Sequence, residues 1–149
     1  MPDTTPTLLG LIAFCRSPVG ITVDAMPDTD PGFATALAFA QEWVPLDLAS
    51  LTGTLYTACV YNWAASSIIQ YQPDQAGQDF FTALRQSFGI TNFVPGVLNS
   101  ASNEATSQSM TIGEGLSNLQ LIDLQRVKDP YGRQALAIMQ STGTLWGLT

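Results

Sequence analysis

Acid–proline pairs divide this chain into segments of helical length. Asp30-Pro31 and Asp129-Pro130 each place an acidic residue before a proline, and Asp47 and Asp74 follow other prolines closely. Proline is tolerated in the first turn of a helix, and an aspartate just before that turn accepts hydrogen bonds from the free N–H groups there. We therefore predict an all-α protein, a compact helical bundle that forms one domain over residues 1–149.

Apolar residues recur every three or four positions within these segments, which is the period of an α-helix. The first predicted helix begins near Thr4 or Thr7, either of which can cap it, and is ended by Pro18 and Gly20. The other predicted helices cover residues 31–44, 47–72, 75–88, 116–127 and 130–142. The third is apolar over most of its circumference, so we place it in the centre of the bundle. We expect Gly89 and Gly143 to end the helices before them, because glycine readily adopts the left-handed conformation of a helix C-cap.

Residues 91–115 differ from the rest of the chain. This stretch contains three glycines, one of them in a Pro-Gly pair, and residues 99–109 are largely Ser, Asn, Thr and Gln. Long irregular segments in compact domains are commonly functional or disordered. We predict a long polar loop, floppy in a monomer and an arm across the neighbour in a ring, with weak strand character at residues 109–112. An extended C-terminal tail is predicted over residues 143–149.

The charge content favours a protein that assembles with others. Charged residues make up 11% of the chain, against about 25% in a typical globular domain. Much of the surface must therefore be neutral, which suits faces covered by neighbours; a sticky monomer is the alternative. A net charge of -7 argues against nucleic acid as a main partner.

The charges are also unevenly distributed. No Lys or Arg lies between Ser17 and Leu84, while four of the five basic residues follow: Arg85, Arg126, Lys128 and Arg133. If the two halves lie on different faces, unlike faces would meet head to tail, as heterologous rings require. Chance clustering of few charges explains the same pattern.

The residues for common catalytic chemistry are missing. The chain has no histidine, and Cys15 and Cys59 are too isolated for a metal cage and have the apolar flanks of buried thiols. The spacing of Asp24, Asp28 and Asp30 does not fit a calcium loop. No acid pair stands out, so we predict no enzymatic activity, no cofactor and no metal, with an acid-pair enzyme as the remote alternative.

No run of about 18 apolar residues suggests a membrane span.

The aromatic residues divide into two groups. Those on helical stripes are predicted to lie in the core: Trp43, Trp63, Phe80 and Phe81. Trp146 lies in the tail, without a helical frame. It either folds back on its own core or docks into an adjacent subunit, since tryptophan is enriched at interface hot spots.

Several sequence segments carry a resemblance to a known family. They are TPTLLGLIAF, ITVDAMPDTDP, ALAFAQEWV, LYTACVYNWAASSIIQY, FVPGV, LIDLQ, DPYGRQALAIMQ and TLWGLT, and they span nearly the whole chain. FVPGV, DPYGRQ and LWGLT are the most specific. The chain resembles small virion proteins of tailed bacteriophages, the head–tail connector (adaptor or neck) proteins.

The resemblance implies a structural subunit of the virion, in a ring of about twelve copies. Its implied partners are further copies of itself, the portal protein and tail or neck proteins, with DNA only passing through the channel. The family has no catalytic residues to carry over. The residues we expect at assembly interfaces are Phe93, Val94, Pro95, Val97, Met110, Ile112, Arg126, Lys128, Arg133, Trp146 and Leu148.

Two other functions fit the same residues. One is another virion protein, such as a tail terminator, neck or decoration protein, which would differ in copy number and in the neighbour it contacts. The other is a monomeric binding module whose polar loop is the contact surface.

Overall fold

A computed structural model describes residues 5–92, 101–103, 106–108 and 126–143, and these are mostly helical, as predicted. The described residues form six α-helices: α1 (Leu8–Phe14), α2 (Pro31–Trp43), α3 (Asp47–Leu51), α4 (Gly53–Tyr71), α5 (Phe80–Ser87) and α6 (Pro130–Ser141). A π-helical turn, Cys15–Val19, continues α1, and a 3₁₀ turn, Ile90–Asn92, follows α5. Two short strands, β1 (Ala101–Asn103) and β2 (Thr106–Gln108), pair antiparallel.

The predicted helix starts are confirmed where a capping side chain stands next to the helix. Thr7 accepts a hydrogen bond from the Gly10 N–H and begins α1. Asp30 and Asp129 accept from the N–H groups two and three residues ahead, and a proline occupies the first turn in both α2 and α6. The backbones of Gly89 and Gly143 are left-handed, with φ of 71° and 74°, as predicted for residues that end helices.

The prediction of one helix over residues 47–72, capped by Asp47, is wrong. The chain forms two helices instead, because Thr52 is extended (φ -156°, ψ 114°) and its hydroxyl accepts from the Leu55 N–H. Thr52 thus begins α4, while Leu46 holds the N-cap position of α3 and makes no side-chain capping bond. A threonine followed by glycine competes well with helix continuation.

Helix α4 occupies the centre of the fold, as its apolar circumference predicts. It packs against α1, α2, α3, α5 and α6. The buried apolar residues of these helices form one continuous cluster, with Trp63, Phe33 and Phe81 among its largest members.

Arg16 organises the acidic loop between α1 and α2. Its guanidinium donates to the Ile21 carbonyl at 2.8 Å and the Met26 carbonyl at 2.6 Å, and it forms an ion pair with Asp28. The same group lies 5.4 Å from the ring centroid of Phe33. This loop is therefore built around a guanidinium, which explains how its acids and carbonyl groups are satisfied.

Side-chain hydrogen bonds fix helix α5 to the end of α4 and to the connection between the two helices. The Asp74 carboxylate accepts from the Phe81 and Thr82 N–H groups, so it caps α5 from several residues upstream. Arg85 donates to the carbonyl groups of Ile69 and Gln72, which satisfies the C-terminal end of α4.

The segment predicted as a loop over residues 91–115 contains regular structure. β1 and β2 pair with Ala101 opposite Gln108 and Asn103 opposite Thr106. Local pairing satisfies backbone N–H and C=O groups, which an irregular chain leaves to solvent. The expected strand character at residues 109–112 lies outside the described residues, as do the helix over 116–125 and the tail after Gly143.

Candidate assembly groove

A groove of about 390 Å³ runs between α2 and α4. Thr35, Phe39 and Trp43 lie four residues apart along α2 and form one wall. Ile68 and Tyr71 of α4 contribute to the other wall. We call this the α2–α4 groove.

Three aromatic side chains of the groove are open to solvent. The exposed fractions are 58% for Phe39, 48% for Trp43 and 67% for Tyr71. The prediction that Trp43 lies in the core is therefore wrong, whereas Trp63 and Phe81 are buried as predicted and Phe80 is half-buried. Trp43 packs at the edge of the core, where its ring stacks on the ring of Trp63 with 6.4 Å between the centroids.

Arg126 lies at the floor of the groove. Its guanidinium carbon lies 4.4 Å from the ring centroid of Trp63, and its Nη1 donates to the Trp63 carbonyl at 3.3 Å. The residue is only 6% exposed. The charge pattern left open whether Arg126 belongs to a weakly basic face or to a chance cluster; burial at the groove floor removes Arg126 from any such exposed face.

One end of the groove is closed by a tie between α2 and α4. Gln72 donates from Nε2 to Asp30 at 3.2 Å, which joins the first turn of α2 to the end of α4. A Cβ atom at Gly32 would lie 2.6 Å from the Gln72 side chain, so glycine permits this close approach. The two helices are thereby held at the spacing that leaves the groove open.

Asp129 fixes the position of the segment that carries Arg126. Its carboxylate is fully buried and accepts from Ser66 Oγ and Gln70 Nε2, each at 2.7 Å, and from the Gly132 N–H at 2.8 Å. A Cβ atom at Gly132 would lie 2.1 Å from the Arg126 carbonyl oxygen, so α6 meets this segment backbone to backbone. The DPYGRQ motif thus has a structural function beside the groove.

A second exposed apolar surface adjoins Trp43. Leu46, Leu51 and Leu55 are exposed around the connection of α2, α3 and α4. We call these three residues the α3 corner. The groove and the α3 corner are thus two solvent-exposed apolar patches, and such patches mark sites of protein contact.

Of the predicted interface residues, three lie in the described part of the chain. Arg126 is at the groove floor, Lys128 is half-buried, and Arg133 is exposed and donates to the Val127 carbonyl at 3.2 Å. Outside the described residues lie Phe93, Val94, Pro95, Val97, Met110, Ile112, Trp146 and Leu148. The assignment of all these residues to an interface stays a prediction.

The sequence interpretation missed Phe39 and Tyr71 as surface aromatics. A signal for Phe39 was available, because Thr35, Phe39 and Trp43 form a separate line at a spacing of four beside the buried line Phe33, Leu37, Ala40 and Val44. A single neighbouring helix covers one such line of apolar residues, so the second line on α2 is left exposed. Tyr71 had no such signal, since it ends a helix that is apolar over most of its circumference.

The chemistry of the described residues is limited. They contain no group of three acidic or cysteine side chains placed to hold a metal ion. Burial raises the pKa of both Cys15 and Cys59 to about 12, so the two free thiols stay protonated and weakly nucleophilic at neutral pH. Within the same residues, no helix has the length and apolar character needed to cross a membrane.

Comparison with models of known protein families, with curated proteins and with solved structures gave no match.

Proposed function

We propose that this protein is a structural, non-enzymatic subunit of a homo-oligomeric assembly, and specifically of a ring that joins the portal to the tail of a bacteriophage particle. The observation that carries the general proposal is the pair of exposed apolar patches, the α2–α4 groove and the α3 corner. The specific assignment to a head–tail connector rests on the sequence resemblance given above.

The exposed aromatics argue for a protein partner. Large aromatic side chains dominate the energetics of protein interfaces, and Phe39, Trp43 and Tyr71 keep about half or more of their surface in water. Burial of apolar surface contributes roughly 25 cal/mol per Å², so covering three such rings favours association by several kcal/mol before the costs of ordering.

The low charge of the chain supports the same function. With 5 basic and 12 acidic residues in 149, much of the surface is neutral, which suits faces that neighbouring subunits cover. The acidic balance also suits a channel through which DNA passes without binding, since like charges repel.

The test is the mass of the purified protein by light scattering after size-exclusion chromatography, alone and mixed with a portal protein from the same source. We expect a ring of about a dozen subunits or a stoichiometric complex with the portal. A monomer that ignores the portal at high concentration contradicts the connector assignment. It would favour a monomeric binding module with the groove as its contact surface.

A further inference from the structure

We propose that the α2–α4 groove is the docking site for the C-terminal segment of a second copy of this chain, with Trp146 as the inserted side chain. This inference deepens the proposed function and rests on it for the assembly that brings two copies together. It is carried by three observations: the chemistry of the groove, the position at which α6 ends, and the composition of the segment after Gly143.

The groove suits a neutral aromatic side chain. Its walls hold Phe39, Trp43 and Tyr71, and its floor holds the guanidinium of Arg126 against Trp63. Indoles stack on aromatic rings and on guanidinium groups, and tryptophan gives the strongest cation–π contact of the aromatic residues. The segment after Gly143 reads Thr-Leu-Trp-Gly-Leu-Thr and carries no charged side chain, so the acidic net charge of the domain does not oppose its approach.

Helix α6 runs antiparallel to α4 and ends away from the groove. Asp129 at its start contacts Ser66, while the Ala135 carbonyl accepts from the thiol of Cys59, seven residues earlier in α4. Continuing along α6, Gly143 lies roughly 12 Å beyond the level of Cys59, at 1.5 Å per residue. Tyr71 lies roughly 18 Å from that level in the opposite direction.

This geometry prevents the segment from reaching the Tyr71 end of the groove in its own chain. About 30 Å along the bundle separates Gly143 from Tyr71. Trp146 lies three residues beyond Gly143, and three extended residues span at most about 11 Å, which leaves Tyr71 beyond the reach even of the Trp146 side chain. A neighbouring copy can present the same residues without this restriction. The segment after Gly143 starts at one end of the domain and the groove lies near the other. Contact between these two different surfaces of neighbouring copies is heterologous, and repeated heterologous contacts can close a ring.

The first test is a titration that does not require a complete ring. A fluorescent peptide with the sequence of residues 143–149 is titrated with the full-length Trp146→Ala chain, and binding is followed by anisotropy. We expect saturable binding, weakened about tenfold or more by Trp43→Ala, by Tyr71→Ala, or by Trp146→Ala in the peptide. Leu9→Ala is the matched control, because Leu9 is exposed and apolar on α1, outside the groove; it should leave binding unchanged.

The second test determines whether the contact forms between chains. Full-length chains with Thr35→Cys in the groove wall and with Thr149→Cys are mixed and oxidised, while the native thiols stay protonated in the core. We expect a disulfide-linked heterodimer, reduced about tenfold when exposed Gln78→Cys replaces Thr35→Cys or when Trp146→Ala is added to the Thr149→Cys chain. A chain that carries both cysteine substitutions is oxidised alone in parallel; a disulfide that forms only within that chain, and never between the mixed chains, contradicts docking between copies.

The outcomes separate this inference from the proposed function. Absence of peptide binding overturns the inference, and a ring that still forms leaves the connector proposal standing. Peptide binding by a chain that forms neither rings nor portal complexes supports the docking site and counts against the connector. Equal binding by the Tyr71→Ala chain and the parent places the peptide elsewhere and overturns the inference.

Discussion

Replacing Asp129 with alanine tests the link between the DPYGRQ motif and the core. The substitution removes a helix cap, which costs about 1 kcal/mol. It also leaves the buried Ser66 hydroxyl without its carboxylate acceptor and removes one of the hydrogen bonds of Gln70, and an orphaned buried donor costs roughly 1–3 kcal/mol. We therefore expect the free energy of unfolding to fall by about 2–4 kcal/mol, with relief of a buried charge favouring the lower end.

The assay is urea unfolding followed by circular dichroism, with the midpoint compared at constant m-value. The thermal midpoint should fall by roughly 4–16 °C for a domain of this size. Asp79→Ala is the matched control, because Asp79 also precedes a helix but makes no capping hydrogen bond. It should change stability by less than about 0.5 kcal/mol. Equal effects of the two substitutions would refute the reasoning.

Three further predictions follow from other local contacts. Thr52→Ala should cost about 1 kcal/mol by removing the cap of α4, measured by urea unfolding against Thr54→Ala, an exposed neighbour whose loss should cost much less. A hydrogen bond from Thr82, followed by backbone N–H groups, lowers the pKa of Asp74 below its ordinary 3.8. Because the folded-state pKa is lowered, the ionised carboxylate stabilises the fold above the unfolded pKa, and this stabilisation is lost as pH falls. The difference in urea midpoint between wild type and Asp74→Asn should therefore be constant at neutral pH and shrink below pH 3.8. Both cysteine thiols, with pKa raised to about 12 by burial, should react with a thiol reagent at pH 8 only after unfolding; rapid reaction of the native protein contradicts their burial.

The sequence predicts those parts of the fold that depend on neighbouring residues. Asp30-Pro31 and Asp129-Pro130 begin helices, and Gly89 and Gly143 end them, because each acts on backbone groups within three residues. The central position of α4 also follows from its composition alone, since an all-round apolar helix has to be surrounded.

The parts that escaped prediction depend on competition or on distant partners. Thr52 interrupts the expected long helix because its hydroxyl accepts a hydrogen bond from the backbone of the next turn. Helical periodicity does not show whether this cap or continuation of the helix is the more stable. Pro18 lies inside a π-helical turn although it was expected to end α1. Asp74 caps α5 from seven residues away, a distance over which sequence patterns carry no signal.

The candidate groove was only partly readable from the sequence. Trp43 lies on an apolar line of α2, but whether that line faces the core or the solvent depends on how many helices pack around it. Arg126 was predicted as an interface residue, but its position against Trp63 depends on Asp129 and Gly132. These two residues bring the start of α6 close to the backbone of Arg126. Tertiary packing therefore decides both the exposure of the aromatics and the burial of the charge.

The most direct test of the assembly function is the mass of three full-length chains in solution, with portal protein added in parallel. The chains are the wild type, Tyr71→Glu at the groove rim and Leu9→Glu on α1; both sites are exposed, so both variants should fold normally by circular dichroism. We predict that the wild type and Leu9→Glu form the same ring or portal complex and that Tyr71→Glu stays monomeric. Assembly of Tyr71→Glu at the concentration at which the wild type assembles, or failure of all three chains to assemble, would contradict assembly through the α2–α4 groove.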